Sequence, residues 1–292
     1  MNNFKKINDL VGWAVFVISL IVFAATVERT ASFWDCGEFI ACAYKLQVPH
    51  PPGAPLFLLL GRLFSLFAAG DVLQVAYWVN MLSVVSSALT ILFMHWTIVL
   101  IGRKVLNKKF DELTFNEALI LLSSGVVGSL AYAFSDTFWF SAVEGEVYAM
   151  ASLFIALLVW LITKWENEYK AADSERWIIL IFFIIGLSVG VHMMCMLAIP
   201  AICLVYYARN YTFSWKSFII ANLVTLAILA FVFKFIFPLI MTLFGKLEIF
   251  FVNGLGLPFH SGIIAAFVLM VAICYFLIKY ARKAKRNIYQ TA

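Results

Sequence analysis

The sequence predicts an all-α polytopic membrane protein, a bundle of about eight membrane spans with an interfacial helix in the first outer loop. Of its 292 residues, 64% are hydrophobic and only 13% are charged, whereas soluble domains are nearer half apolar and a quarter charged. Apolar windows without charge recur along the chain, and most approach the roughly 20 residues that cross a bilayer. Short basic clusters separate these windows, a pattern typical of polytopic membrane proteins.

Charge-free windows supply the predicted spans. They are residues 10–27, 72–102, 118–135, 147–163, 177–208, 217–233 and 249–278. The window 177–208 would be about 48 Å long as a single helix, which is too long for one crossing without a large tilt. We therefore expect it to cross twice, with a turn near Gly190-Val191-His192, which makes eight crossings in total.

The eight-span topology places the large basic clusters on the side of the N-terminus. These clusters are Lys5/Lys6, Arg103/Lys104/Lys108/Lys109, Lys164/Lys170/Arg176, Arg209/Lys216 and Lys279/Arg282/Lys283/Lys285/Arg286. Since basic loops stay in the cytoplasm, both termini are predicted to be cytoplasmic, and we expect a bacterial inner-membrane protein. The net charge of +5 then reflects orientation in the bilayer and does not indicate a nucleic-acid partner.

We predict that residues 1–292 form a single transmembrane domain. Its predicted outer segments are the first extracytoplasmic loop 28–70, the second outer loop 136–146, the turn at His192 and the segment 244–260. The apolar stretch Ala54–Gly70 contains Arg62, and a span there would invert every later loop. We therefore expect this stretch to form the interfacial helix on the outer face.

The five cysteines show no CxxC pair and no metal-ligand spacing. Cys195, Cys203 and Cys274 lie in apolar windows, where they are interpreted as small hydrophobic residues. Cys36 and Cys42 lie in the first outer loop. They either form a disulfide, if that loop faces an oxidising compartment, or pack within a helix.

A polar and proline-rich stretch interrupts the apolar pattern in the first outer loop. It reads Phe33-Trp34-Asp35-Cys36-Gly37-Glu38-Phe39 and continues with Pro49-His50-Pro51-Pro52-Gly53. Asp35 and Glu38 would share one face of a helix, and the Pro/Gly cluster should then fold the chain back. Two interpretations remain, an ordinary loop with a short capped helix or an acidic pair that carries chemistry.

Glu144 and Glu146 form a second acidic group, directly before a predicted span. Both would favour the positive end of the helix that follows. Alternatively, they are held at the outer membrane surface against aromatic residues and face the first loop across a cleft.

Three further side chains are candidates for binding a substrate. His50 lies between prolines, and two roles are open for it: binding a phosphate, or hydrogen-bonding within the turn. His192 lies at the predicted hairpin turn, where it is either a structural residue or a functional one. Arg62 on the interfacial helix is the outer cation best placed for a lipid-linked phosphate that approaches from the outer leaflet.

Three blocks of this chain carry a family resemblance, in order over roughly residues 10–210. They are Phe33-Trp34-Asp35-x-Gly-Glu38-Phe39 with Pro49-His50-Pro51-Pro52-Gly53-x-Pro55-Leu56, then Glu144-x-Glu146-Val147-Tyr148, then Gly186-Leu187-Ser188-x-Gly190-x-His192. This pattern resembles the membrane domain of the DUF2723 family, which is similar to protein O-mannosyltransferases and is placed among GT-C glycosyltransferases. The resemblance implies a GT-C-like helical bundle.

The implied activity is transfer of a mannose-like sugar from a polyprenyl-phosphate donor to a hydroxyl acceptor, a protein Ser/Thr or a glycan, on the extracytoplasmic side. In GT-C enzymes an acidic residue of the first outer loop is the usual catalytic base, which by matching position is Asp35, with Glu38 as its catalytic neighbour. We expect Arg62 and His50, with His192, to bind the leaving phosphate, and Glu144 and Glu146 to orient the acceptor or the sugar hydroxyls. No ligand spacing demands a metal, so no metal and no cofactor are predicted beyond the lipid-linked donor.

Members of the family carry further spans and a large extracytoplasmic C-terminal region. Compared with them, we expect this chain to be a shortened member, a fragment, or one part of a split enzyme in which a partner chain supplies that region. Two other classes of function remain open. A transporter or flippase of a lipid-linked or polar substrate would place ionisable groups at mid-membrane. A non-catalytic membrane subunit of a glycosyltransferase assembly would use the outer aromatic loops as an interface.

Overall fold

The computed structural model describes residues 4–170 and 174–283, which form α-helices joined by turns and short 3-10 or π segments, with no strand in these ranges. The α-helices are α1 (Phe4–Thr26), α2 (Cys36–Lys45), α3 (Pro55–Ser65), α4 (Val75–Val105), α5 (Phe115–Ala133), α6 (Asp136–Ala142), α7 (Val147–Glu168), α8 (Glu175–Val189), α9 (Ala198–Asn210), α10 (Trp215–Phe231), α11 (Phe237–Ile249) and α12 (Ser261–Lys283). The predicted all-α class is confirmed. Of the predicted basic clusters, Lys285 and Arg286 lie outside the described residues.

Seven helical stretches of the described chain are long and apolar enough to cross a membrane. These stretches are Phe4–Thr26, Val72–Val105, Phe115–Ala133, Val147–Glu168, Met193–Asn210, Trp215–Gly254 and Ser261–Tyr280. The predicted count was about eight. The difference lies in α8, which was expected to be a separate span. Its 15 residues extend only about 22 Å at 1.5 Å per residue, which is too short to cross the roughly 30 Å hydrocarbon core. The predicted interruption is present, because α8 ends at Val189 and the chain turns at Gly190–His192.

The contacts divide the chain into two compact units, Met1–Ala198 and Ile199–Ala292. In the first unit, α4 is the central helix and packs against α1, α5 and α7. Its buried face carries small polar residues, among them Ser83, Ser86 and Ser87. Small side chains let helices approach closely in membrane proteins, which explains how α4 contacts three long helices.

The first outer loop folds as two short helices on the first unit. A left-handed residue, Leu46 with φ 51°, ends α2, and Pro55 begins α3, where its fixed φ suits the first helical position. Together with a 3-10 turn, α3 forms the short apolar helix Pro55–Ala68, in the stretch predicted to be interfacial. Cys36 and Cys42 are free and buried in α2, so the packing interpretation holds and no disulfide joins them.

In the second unit, α10 and α11 form one helical run through the π segment Val232–Ile236. This segment directly precedes the turn that contains Pro238, whose missing N–H breaks regular helical bonding. The predicted outer segment 244–260 is helical as far as Gly254, and only its last residues form the turn to α12. There the carboxylate of Glu248 accepts hydrogen bonds from the backbone N–H groups of His260 at 2.6 Å and Ile263 at 3.0 Å.

Candidate active site

Asn80 of α4 holds the first and second loops together at one end of the first unit. Its side-chain amide donates to the carbonyls of Glu28 at 2.7 Å and Thr30 at 3.1 Å. The backbone N–H of Glu28 in turn donates to the carbonyl of Val143 at 3.0 Å. A Cβ on Gly145 would lie 2.6 Å from Oδ1 of Asn80, so any larger residue here would displace the segment or Asn80. The two predicted acidic groups therefore lie at the same end of the helices.

Asp35, Glu38 and His50 lie together at the start of α2, where Glu38 and His50 are hydrogen-bonded. Glu38 accepts the backbone N–H of His50 at 2.7 Å and pairs with its Nδ1 at 2.8 Å. The Nε2 atom of His50 lies 3.9 Å from Oδ2 of Asp35. The Pro/Gly turn folds the chain back, as expected, and brings His50 against Asp35 and Glu38.

The hydrogen bonds between Glu38 and His50 lower one pKa and raise the other. The bonds from His50 lower the pKa of Glu38 below its usual range. The same contact raises the pKa of His50, with smaller contributions from the charges of Asp35 and Glu146. Both side chains are more than a third exposed, so the shifts arise from direct hydrogen bonding rather than burial.

Glu144 and Glu146, by contrast, are buried carboxylates, 4% and 3% exposed. The hydroxyl of Ser32 donates to Oε2 of Glu144 at 2.6 Å. Burial, together with the charges of Glu144 and Asp35, raises the pKa of Glu146 to about 7. Burial also raises the pKa of Glu144, although the Ser32 bond opposes it. At neutral pH Glu146 is therefore partly protonated.

His192, in the turn after α8, lies beside the same acidic residues. The carbonyl of Gly190 accepts the N–H of Leu56 at 2.7 Å, which fixes this turn to the start of α3. Nδ1 of His192 accepts the backbone N–H of Met194 at 3.1 Å, so the neutral ring carries its proton on Nε2. Burial lowers the pKa of His192 and favours this neutral form.

These segments enclose a cavity of about 50 Å³. It is lined by Asp35, Phe39, His50, Pro52, Gly53, Ala54, Glu146, Val147, Tyr148, Val191 and His192. Three segments far apart in the chain, around residues 35–54, 146–148 and 191–192, thus contribute acidic or imidazole groups to one space. No lysine or arginine is among these lining residues of the described chain.

Arg62 lies away from this cavity. Its guanidinium donates to the carbonyl of Tyr44 at 2.9 Å and stacks over the Tyr44 ring at 5.3 Å from the centroid. Tyr44 is nine residues beyond Asp35 in α2, about 13 Å along a helix axis. The structure therefore brings together Asp35, Glu38, His50, Glu146 and His192, with Glu144 adjacent, but does not bring Arg62 to them.

The aromatic residues before Asp35 project outward. Phe33 is 75% and Trp34 89% exposed, and Trp34 has a φ of 57°. A bulky residue in the left-handed region is strained, by an amount of order 1 kcal/mol. Exposed aromatic side chains at the ends of spans are typical of membrane interfaces.

Sequence reasoning missed two residues that build the site, Ser32 and Asn80. Both are short polar side chains with no charge, and Asn80 falls inside a window counted as a span. The available signal was Asn80 itself, because an amide within a membrane helix needs partners and therefore indicates a contact.

Metal binding would require the oxygens of Asp35 and Glu38 and a ring nitrogen of His50, whose nearest atoms lie within 4.8 Å of one another. In the structure these groups are exposed; Nδ1 of His50 is hydrogen-bonded to Glu38, and Nε2 lies 3.9 Å from Oδ2 of Asp35. Exposed acidic clusters of this kind are common without an ion.

A separate open depression of about 670 Å³ lies beside α6. Asp136, Thr137, Trp139, Phe140, Ser141 and Val143 line it. Its aromatic wall is held in place because the indole N–H of Trp139 donates to the Thr26 hydroxyl at 3.0 Å. This depression shares no lining residue with the acidic cavity.

The helices and the cavity together define an integral membrane protein with a cluster of carboxylates and imidazoles at one end of its helical bundle. The family described as Protein O-mannosyl-transferase TMEM260 N-terminal domain matches residues 35–215. The chain belongs to this family. The predicted resemblance to protein O-mannosyltransferases is thereby confirmed, although the matching family carries the TMEM260 description and not the DUF2723 label.

Two named relatives show the extent of the likeness. The chain is 28% identical over 221 residues to Protein O-mannosyl-transferase tmem260 of Dictyostelium discoideum, which covers 72% of this chain and 25% of that protein. It is 32% identical over 176 residues to Protein O-mannosyl-transferase TMEM260 of Mus musculus, which covers 60% of this chain and 22% of that protein. The chain thus spans about a quarter of the length of these relatives. No solved structure matches it significantly.

Proposed function

We propose that this chain carries the catalytic site of a GT-C-type glycosyltransferase that moves a mannose-like sugar from a polyprenyl-phosphate donor to a protein Ser/Thr hydroxyl. The observation that carries the proposal is the shared cavity, in which Asp35, Glu146 and His192 meet from three distant segments. The relatives are named protein O-mannosyltransferases, and the matched residues 35–215 include all of these side chains.

In the proposed reaction, the acceptor oxygen attacks the anomeric carbon of the sugar while the bond from that carbon to the phosphate oxygen breaks. The electron pair of the broken bond leaves with the phosphate, and Asp35 takes the hydroxyl proton as general base. Attack from the face opposite the leaving group inverts the anomeric configuration. Asp35 is suited to this role because its side chain is 55% exposed and opens onto the cavity.

The leaving phosphate needs hydrogen-bond donors where its charge develops. His192 supplies Nε2–H in its neutral form, since its Nδ1 is occupied by the N–H of Met194. Protonated Glu146 supplies a second O–H donor near neutral pH. The predicted contribution of Arg62 to phosphate binding stays a prediction, because its guanidinium is bound to the Tyr44 carbonyl.

We further propose that the reaction uses no metal ion and takes place on the extracytoplasmic side, where lipid-linked donors and secreted acceptors meet. The N-terminus and the basic loops then face the cytoplasm, in a bacterial inner membrane.

The proposal is tested by transfer in proteoliposomes that contain the purified chain. Mannose labelled with ³H is offered either as polyprenyl-phosphate mannose or as GDP-mannose, with a Ser/Thr peptide as acceptor. We expect transfer from the lipid donor alone, with an inverted anomeric configuration in the product. Transfer from GDP-mannose, or movement of the lipid donor across the bilayer without transfer, would contradict the proposal and favour a different donor class or a flippase.

A further inference from the structure

Glu38 has both carboxylate oxygens occupied by one residue. Oε1 accepts the backbone N–H of His50 at 2.7 Å, and Oε2 pairs with the ring Nδ1 at 2.8 Å. A carboxylate held in this way is poorly available to abstract a proton from a substrate. It instead fixes the ring orientation and keeps the proton of neutral His50 on Nδ1.

The other ring nitrogen of His50 is therefore the one with a free lone pair. Nε2 lies 3.9 Å from Oδ2 of Asp35, and both residues line the cavity that also contains Glu146 and His192. The Phe39 ring meets the imidazole edge to face, with centroids 5.8 Å apart. The ring is thus held from two sides with Nε2 directed towards the proposed base, a separation that a movement of about 1 Å converts into a hydrogen bond.

We propose that His50 is the proton relay of Asp35 and that Glu38 is the residue that positions it. This inference rests on the proposed function and assigns new roles within the same site. The proton of the acceptor hydroxyl passes to Asp35 and then to Nε2 of His50, and the resulting imidazolium is stabilised by the Glu38 carboxylate. The phosphate that leaves with the electron pair takes this proton on release, so that Asp35 and His50 return to their starting states.

Four titratable groups lie around His50. Asp35 is the N-cap residue of α2 and Glu38 lies in its first turn, Glu146 precedes α7, and His192 lies in the turn after α8. The three carboxylates favour the imidazolium, and the Glu38 hydrogen bond is the largest of these effects. Since the relay requires neutral His50 before each turnover, activity should rise with pH through the pKa of His50.

The test combines the pH dependence of transfer with a direct measurement of His50 ionisation. Diethyl pyrocarbonate modifies neutral imidazole, so the rate of modification of the His50 peptide against pH gives its titration midpoint by mass spectrometry. The variants are Glu38→Gln, Glu38→Asp and His50→Gln, and the control is Glu28→Gln, a carboxylate whose side chain bonds only its neighbours Arg29 and Thr30. Modification of His95, which is fully buried in α4, reports whether a variant has unfolded, because the folded chain shields this ring from the reagent.

We expect Glu38→Gln to lower both midpoints, for His50 modification and for transfer, by about one pH unit, while Glu38→Asp stays near the wild type. His50→Gln should lose the acidic limb of the profile and slow transfer by about 10²-fold or more. A Glu38→Gln variant with lower activity and an unmoved midpoint, or a His50→Gln variant that keeps the wild-type rate, would overturn the relay alone. A wild type that transfers at no pH would overturn the proposed function and the relay together.

Discussion

The hydroxyl of Ser32 donates a hydrogen bond of 2.6 Å to the buried carboxylate of Glu144, across 112 residues of sequence. This bond joins the first loop to the second at the edge of the acidic cavity. It also provides the stabilisation that a carboxylate with 4% exposure requires, because burial of an unpaired charge is costly.

We predict that Ser32→Ala destabilises the protein most at alkaline pH. The variant loses a hydrogen bond to a charged group, worth about 1.5–3 kcal/mol, and the pKa of Glu144 rises further. Protonation of Glu144 relieves this loss, so the deficit in thermal stability should be smaller at pH 5 than at pH 8. Ser123→Ala, at an exposed position of α5, is the control. Equal effects of the two variants at both pH values would show that the Ser32 bond does not stabilise the loops.

Gly145 offers a matched test of the contact between the second loop and α4. A Cβ there would lie 2.6 Å from Oδ1 of Asn80 and 3.1 Å from Cγ1 of Ile40, so Gly145→Ala must displace the segment that carries Glu144 and Glu146. We expect a loss of about 1–3 kcal/mol and transfer reduced more than tenfold. Gly186→Ala in α8 meets nothing within 4 Å and should leave both quantities unchanged or slightly improved. If Gly145→Ala and Gly186→Ala had the same stability and the same transfer rate, the close packing of Gly145 against Asn80 would be refuted.

Glu146 makes stability depend on pH. Its pKa, raised to about 7, exceeds that of an unfolded glutamate near 4.3, so the folded state binds more protons between these values. Stability therefore falls as pH rises from about 4 to about 7, by roughly 3 kcal/mol in total. Glu146→Gln removes this dependence and should gain thermal stability relative to the wild type at pH 8 but not at pH 4. A gain of the same size at both pH values would contradict the raised pKa.

Metal removal should leave the reaction intact. Nδ1 of His50 is bonded to Glu38, and the proposed proton transfers need only carboxylates and imidazoles. We expect the transfer rate in 5 mM EDTA to equal the untreated rate. A loss of activity in EDTA that Mg²⁺ or Mn²⁺ restores would require the cluster around Asp35 to be reinterpreted.

Much of the fold could be predicted from the sequence, because apolar windows and the length of a span are local properties. The break at Gly190–His192 and the short helix at Pro55–Ala68 were predictable for the same reason. The count of spans was less certain, since α8 ends after 15 residues, a length that hydropathy alone does not define.

The candidate site was only partly predictable. Spacing placed Asp35 and Glu38 on one face, and the Pro/Gly cluster indicated that the chain would fold back, but the contact of His50 with Glu38 was not predicted. The position of Arg62 depends on how α3 crosses α2, which no local pattern encodes, and its bond to the Tyr44 carbonyl was therefore not foreseen. Asn80 was missed because its role depends on carbonyl groups about 50 residues away in sequence.

The measurement that tests the central claim most directly is sugar transfer by Asp35→Asn in proteoliposomes, with polyprenyl-phosphate mannose and a Ser/Thr peptide. The substitution is nearly isosteric and removes only the base. Its matched control is Asp71→Asn, at a carboxylate that caps the turn at Leu73. We predict that Asp35→Asn slows transfer by about 10²-fold or more while Asp71→Asn transfers at close to the wild-type rate. Transfer by Asp35→Asn at the wild-type rate would contradict the account.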